Sequence, residues 1–176
     1  MNNGIWMIGV LSIMLVSGCA LTPGVSTGGK TPAGPSPLIA KYSERAVVVD
    51  GKLDDPVWGN APVYKLSLSK AEEDKGNILH EAGYVQLAWD EDYLYAGIKF
   101  YDSDIVQESE ENQQHHYRSG DLVEVFLKPE RNTWYWEIYG TPNEKKTVFW
   151  FPGRGRLGLE SHYQAGMNLD NLLIGT

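Results

Sequence analysis

Residues 85–102 read VQLAWDEDYLYAGIKFYD and carry the clearest β-strand pattern of the chain. In the runs before and after the acidic segment at 90–92, apolar or aromatic side chains stand at every second position, as Val85, Leu87 and Trp89 do in the first run. Alternation with a period of two places successive side chains on opposite faces of a β-strand, and aromatic and β-branched residues favour strands. Because so few residues join the two runs, the pattern predicts an antiparallel hairpin with strands over 83–90 and 93–101.

The same period recurs after this hairpin and predicts strands over residues 121–127 and 133–139. Further strands are predicted over residues 46–50, 63–68 and 146–151. One short helix is predicted over 54–61, with Pro56 in its first turn, where a missing N–H costs little. About seven short strands and almost no helix predict an all-β fold, an antiparallel β-sandwich of two sheets in the jelly-roll or immunoglobulin-like style. The apolar run at 169–174 would be a strand with no return partner, so we expect the sandwich to be truncated at its C-terminal end.

The composition of the 176-residue chain is that of a folded protein. Hydrophobic residues make up 42% and charged residues 22%, which excludes wholesale disorder and a polytopic membrane protein. There are 15 basic and 23 acidic residues, for a net charge of −8, and this balance excludes nucleic acid as a partner. A single cysteine excludes an intramolecular disulfide. Aromatic rings are abundant; the alternation assigns Trp89 and Trp136 to the core, and Trp58 is expected to pack the N-terminal segment of the domain on the sandwich.

Residues 1–18 are predicted to be a lipoprotein signal peptide. The apolar stretch at 5–16 is about 12 residues long, shorter than the roughly 20 that span a bilayer. It leads through small residues to Cys19, which resembles the lipidated cysteine of bacterial lipoproteins; an ordinary core cysteine after a buried helix is the alternative. Residues 19–37 are rich in Gly, Pro, Ser and Thr and predict a flexible linker. We therefore expect a lipid anchor at Cys19 that attaches the protein to a membrane of the cell envelope, as an outer-membrane lipoprotein, or a secreted protein.

Three segments of the domain expected over 38–176 resemble one family. VDGKLDDPVW at 49–58 is similar to the opening motif of family 9 carbohydrate-binding modules, residues 85–102 to the family's first hairpin, and DLVEVFL at 121–127 to a later strand. They occur in the family's order. The resemblance implies a β-sandwich, a non-catalytic function in binding oligo- or polysaccharides, and membership of a glycoside hydrolase system that supports polysaccharide catabolism.

The resemblance also implies which residues contact the sugar. Glu124 stands at a position that sugar-binding relatives use for hydroxyl contacts. Tyr117 and Arg118 precede that strand, where the relatives place a stacking tryptophan, and Glu137 stands where they have an arginine. Trp150 is a further candidate for an exposed ring. Flat rings and charged hydrogen-bonding groups suit sugars, which present an apolar C–H face and a rim of hydroxyls. A solvated Glu124 and a core Trp150 are the alternatives.

Three other functions are compatible with these residues. Glu124 and Glu137 lie on consecutive predicted strands and could form the carboxylate pair of a glycosidase. A structural or adaptor lipoprotein without a small-molecule ligand is a second alternative. Related sandwich domains bind haem b through Met, His or Lys ligands for electron transfer. The candidate haem ligands here are His115, His116, His162 and Met167.

No metal site and no cofactor are predicted apart from a structural calcium ion. Carboxylate oxygens are the ligands that calcium prefers, and they cluster in two places. These are the turn at 90–92, and Asp102 with Asp104. Solvated turn carboxylates are the alternative.

Overall fold

A computed structural model describes the backbone of residues 3–11, 37–130, 133–151 and 172–176, and the side chains of the last three ranges. These residues are nearly all β, which confirms the predicted fold class. The elements are β1 (Asn3–Leu11), β2 (Lys41–Tyr42), β3 (Tyr64–Lys65), α1 (Lys70–Asp74), β4 (Gly83–Trp89), β5 (Tyr93–Tyr101), a 3-10 helix (His116–Arg118), β6 (Val123–Leu127), β7 (Tyr135–Gly140), β8 (Lys146–Phe151) and β9 (Leu172–Gly175).

The strands form two sheets. The large sheet has the order β2-β4-β5-β1-β9, with β3 also paired to β4, and the small sheet has the order β6-β7-β8. The predicted hairpin is β4 and β5, which pair antiparallel from Gly83 with Phe100 to Trp89 with Leu94. Its turn is closed by the Asp90 carboxylate, which accepts hydrogen bonds from two backbone N–H groups that follow it, each at 2.8 Å.

The main hydrophobic core lies between the two sheets. Its buried residues come from β5, from all three strands of the small sheet and from β9, which confirms the predicted sandwich. They are Ala96, Ile98, Val123, Ile138, Val148 and Leu172. Trp136 packs against this core, as expected. Trp89 is only half-buried and meets the ring of Tyr42 edge-on, with ring centroids 4.8 Å apart, because it lies at the end of β4.

A second cluster covers the outer face of the large sheet. Residues of the segment at 47–61 pack against Ala88 and Tyr95, and Trp58 is buried there, as the sequence predicts. Gln86 points to the same side, where its amide donates hydrogen bonds to the backbone carbonyls of Trp58 (2.7 Å) and Ala61 (3.0 Å). The segment therefore seals this face with both apolar contacts and hydrogen bonds.

Local elements outside the sandwich strands differ from the sequence prediction. The strand predicted at 46–50 is wrong, because this segment lies across the face of the large sheet and does not pair along an edge. The helix predicted at 54–61 is wrong as well; the segment is a series of turns. The strand predicted at 63–68 shortens to the two residues of β3. Helix α1 was not predicted, since five residues are too few to show a helical period.

Strand β9 has a partner, contrary to the prediction of a strand with no return partner. It pairs antiparallel with residues 7–10 of β1, and β1 also pairs along its full length with β5. Strand β1 belongs to the predicted signal peptide, which stays a prediction, as does lipidation at Cys19, outside the described residues. No helix in the part of the chain described by the structure is long and apolar enough to cross a membrane.

Candidate functional site

The outer face of the small sheet carries a concentrated set of rings and carboxylates. In β6, β7 and β8 one set of alternating residues packs into the core, so the other set points away from it. The register places Glu124 opposite Tyr139, and Phe126 opposite Glu137. We call this surface the aromatic face; it consists of Glu124, Phe126, Tyr135, Glu137, Tyr139, Phe149 and Phe151.

One end of the aromatic face is an open shelf of three rings. Tyr135 and Phe151 stand opposite each other on neighbouring strands and are stacked, with centroids 4.8 Å apart and an interplanar angle of 9°. Phe126 lies beside Tyr135, at a centroid distance of 6.2 Å, and 58% of its surface is exposed. A phenylalanine that gains so little from burial is free to contact a ligand with an apolar surface.

The other end of the face is covered by the segment that carries the predicted residues Tyr117 and Arg118. Here Tyr139 and Phe149 are buried. His115 stacks on Phe149 with centroids 5.4 Å apart, and Tyr117 meets Tyr139 edge-on at 6.4 Å. Tyr117 is 53% exposed, and the guanidinium of Arg118 lies 5.3 Å from the centre of its ring. This end therefore offers one accessible ring with an adjacent cation.

Hydrogen bonds to β8 and a buried histidine hold this segment in place. The amide N–H of Gln113 donates to the carbonyl of Lys146 (2.9 Å), and the hydroxyl of Thr147 donates to the carbonyl of Gln114 (2.8 Å). The ring of His116 is fully buried, and its Nδ1 lies 2.8 Å from the hydroxyl oxygen of Ser109. Burial lowers the pKa of His116, against an opposing contribution from the backbone of Lys146. The tight packing of His116 thus fixes its neighbours Tyr117 and Arg118.

Two carboxylates meet at one phenol in the middle of the aromatic face. The hydroxyl of Tyr139 donates to the carboxylate of Glu137 at 3.0 Å. Burial raises the pKa of Tyr139, and hydrogen bonding to Glu124 and the charge of Glu137 raise it further. The pKa of Tyr135 is also raised, first by burial and then by the charge of Glu137. The raised pKa values keep both phenols neutral, so the centre of the face combines phenol hydroxyls with carboxylate oxygens that accept hydrogen bonds.

The structure brings together four of the five residues that the sequence proposed for sugar binding. Tyr117, Arg118, Glu124 and Glu137 all lie on or beside the aromatic face. Trp150 does not: it stands opposite Trp136 in β7, on the side of the small sheet that packs toward the core, and is half-buried. The reason is its phase, since Trp150 is two residues from the core residue Val148.

The sequence prediction missed the three shelf residues. Phe126 lies two residues from Glu124 in β6, and Tyr135 lies two residues from Glu137 in β7. Phe151 stands directly opposite Tyr135. The signal was available in the alternation, because Phe126 shares the phase of Glu124, and Tyr135 shares that of Glu137.

The candidate metal and haem ligands lie only partly within the described residues. Among them there is no group of three or more His, Cys, Asp or Glu side chains that could hold a metal ion. The Asp90 carboxylate is engaged by its own hairpin, where it also accepts a hydrogen bond from the hydroxyl of Tyr95 at 2.7 Å. His115 and His116 are packed as described above, and His162 and Met167 lie outside the described residues. Structural calcium stays a prediction.

Comparison with known proteins gives one match. The family described as carbohydrate family 9 binding domain-like matches residues 49–164, which include β3 to β8 and therefore the whole aromatic face. The match confirms the resemblance that the three sequence segments indicated. Searches of curated proteins and of solved structures found no match.

Proposed function

The chain belongs to the carbohydrate family 9 binding domain-like family, and from this premise we propose that it binds an oligo- or polysaccharide on the aromatic face without cleaving it. The observation that carries the proposal is the shelf formed by the exposed Phe126 with the half-buried Tyr135 and Phe151, directly beside Glu124 and Glu137. An apolar surface next to acceptors matches the two sides of a sugar ring.

The geometry gives each group a role. The shelf rings would pack against the C–H face of a sugar unit, where burial of apolar area is favourable. Glu124 and Glu137 would accept hydrogen bonds from its hydroxyls, and such charge-assisted bonds are stronger than neutral ones. A longer chain could extend toward Tyr117 and Arg118, which supply a second exposed ring and a donor.

We extend the proposal to the cellular setting. Cleavage after residue 18 and lipidation of Cys19 would place the domain on a membrane of the cell envelope, held by the linker at 19–37. One acyl chain gives only marginal membrane binding, so a stable anchor requires more than one. In that position the domain would hold polysaccharide close to glycoside hydrolases that degrade it. Labelling with a fatty-acid analogue tests the anchor: wild type should be labelled, and Cys19→Ala should not.

The binding proposal is tested by calorimetric titration of the full chain with oligosaccharides selected on a glycan array. Phe126→Ala should lower the affinity about tenfold, since a ring contact is worth about 0.5–1.5 kcal/mol beyond its buried area. Tyr101→Ala, which removes a 41%-exposed ring from the large sheet, is the matched control and should leave the affinity unchanged. Binding of no saccharide by a folded protein would overturn the proposal, and equal losses in both variants would move the site off this face.

A further inference from the structure

We propose that two copies of this chain pair along β6, in an antiparallel register centred on Phe126, so that their small sheets join in one six-stranded sheet. Strand β6 lies at the end of the order β6-β7-β8, and within the part of the chain that the structure describes no strand pairs with its other side. Such an edge presents a row of backbone N–H and C=O groups to which another strand can bond. The inference concerns a protein partner and does not depend on saccharide binding.

The first observation is an apolar groove beside this edge. It has a volume of about 350 Å³, and its lining comes largely from β4 and β5 of the large sheet, including Val85 and Leu87, and from β6, including Val125 and Leu127. These four side chains are only partly buried, so the sandwich is incompletely closed beside β6. A strand added along β6 would place every second side chain in the groove, where burial of apolar area is favourable.

The second observation is that β6 lacks most features by which edge strands avoid pairing. Natural edge strands carry lysines, prolines or bulges that block another strand. The sequence of β6 is VEVFL, which contains no lysine, proline or glycine, and its Phe126 is 58% exposed. The charges at this edge are Glu124, within the strand, and Lys128, directly after it, and both side chains are exposed. Their positions therefore decide which partner strand fits.

The edge is complementary to a second copy of itself. In a symmetric antiparallel pair centred on Phe126, Glu124 of each copy stands opposite Lys128 of the other, and the two Phe126 rings meet at the centre. Val125 stands opposite Leu127 of the other copy. Because residues two apart share a face, the charged and aromatic pairs lie on the side of the aromatic face and the apolar pairs on the side of the groove. Opposite charges and aromatic rings that face each other across antiparallel strands stabilise the pairing.

The neighbouring symmetric registers lose this match. Centred on Leu127, the pairing would place Glu124 opposite Glu130, and centred on Glu124, it would place the two Glu124 side chains opposite each other. Like charges in opposed positions are destabilising. Centred on Val125, the pairing would leave Glu124 opposite Phe126, without a charged partner. The register centred on Phe126 is therefore the favoured one.

Analytical ultracentrifugation of the full chain over a range of concentrations tests the pairing. We expect a dimer with a dissociation constant in the micromolar range, and added salt should raise that constant because the charged pairs are exposed. Lys128→Glu places like charges opposite each other twice in the dimer, and so does Glu124→Lys. Each substitution should therefore raise the dissociation constant of the homodimer by about tenfold or more.

A mixture of the two variants tests the register itself. When Glu124→Lys pairs with Lys128→Glu, one copy carries two lysines and the other carries two glutamates, so both opposed pairs again join opposite charges. The equimolar mixture should therefore form a heterodimer with about the affinity of the wild-type homodimer. Lys75→Glu makes the same change of charge at the exposed end of helix α1 and is the matched control, which should keep the wild-type dissociation constant. Circular dichroism establishes that each variant is folded.

Three results would count against the pairing. A wild-type protein that stays monomeric at millimolar concentration overturns the proposal. A dimer whose dissociation constant is the same in wild type and in both charge reversals overturns the assignment to β6. A mixture that pairs no better than the separate variants overturns the register centred on Phe126. All of these measurements are made without a saccharide, so their failure is distinct from a failure of the proposed function.

Discussion

The two sheets present outer faces of opposite character. On the large sheet, Ala88 and Tyr95 are buried under the segment at 47–61, and the Gln86 amide is bonded to backbone carbonyls of that segment. On the small sheet, the corresponding residues include the exposed Phe126 and Glu124. Both faces arise from the same two-residue alternation. The difference lies in what covers them: the chain closes the first face with its own apolar segment and presents rings and carboxylates on the second.

An aromatic residue can therefore be buried under another segment or exposed on an outer face, and its own sequence neighbourhood does not distinguish the two positions. Trp58 and Tyr95 contribute to stability, whereas the shelf rings would contribute mainly to binding. Mutations on the large sheet should therefore change the free energy of unfolding, and mutations on the shelf should change affinity.

Trp58→Ala should have the largest effect on stability. The side chain is 4% exposed and packs on the outer face of the large sheet, and truncation of a buried Phe or Trp typically costs about 3–5 kcal/mol. Urea unfolding followed by tryptophan fluorescence measures the loss. Phe126→Ala is the counterpart on the small sheet, and we expect it to change the unfolding free energy by less than about 1 kcal/mol. Equal losses in the two variants would contradict the proposed difference between the faces.

Gly97→Ala should have the next largest effect. A methyl group at Gly97 would lie 2.7 Å from Leu53 Cδ2 and 3.2 Å from the Trp58 ring, so the covering segment would have to shift. Overpacking of this kind typically costs about 1–3 kcal/mol. Gly59→Ala is the matched control, because its methyl group would lie 3.7 Å from the nearest atom outside its chain neighbours, an ordinary contact. Thermal unfolding of both variants checks the prediction, and a stable Gly97→Ala protein would show that the cover is loose.

Much of the fold could be predicted because its strands follow the simplest pattern. The hairpin of β4 and β5 was predicted to within a residue, since alternation and a short acidic turn coincide. The segment at 46–50 is a run of valines, which favour strands, and yet it is not a strand, because its apolar residues cover the large sheet. Local sequence does not distinguish pairing along an edge from packing on a face, so this error required tertiary information.

The candidate site shows the same limit. Glu124 and Glu137 could be predicted from the family resemblance, and the structure joins them through Tyr139. Trp150 was a candidate for an exposed ring, with a core position as the alternative, because both phases of β8 are aromatic, Phe149 and Phe151 in one and Trp150 in the other. Only the pairing of β8 with β7 shows which phase faces the core. A strand that is apolar on both faces carries no local signal for its orientation.

His116→Gln should have the smallest effect, and one that depends on pH. His116 anchors the segment that covers one end of the aromatic face. Burial lowers the pKa of His116 in the folded protein below its ordinary value of about 6.5. At pH values between the lowered pKa and the ordinary one, the unfolded chain binds a proton that the folded protein does not. The stabilisation is therefore fully present above about pH 6.5 and is lost as the pH falls, at no more than about 1.4 kcal/mol per pH unit.

The wild-type protein should therefore lose stability faster than His116→Gln as the pH is lowered from 7 to 5. Carboxylates titrate in both proteins, so the difference between their unfolding free energies isolates the histidine. Urea unfolding at half-unit pH steps measures it. The edge-on contact of Tyr117 with Tyr139 should weaken together with the buried contacts of His116, so saccharide affinity should fall over the same interval in wild type only. If the unfolding free energies of the two proteins fall in parallel as the pH is lowered, protonation of His116 does not destabilise the folded protein. The segment that covers Tyr139 and Phe149 would then not depend on the neutral form of His116.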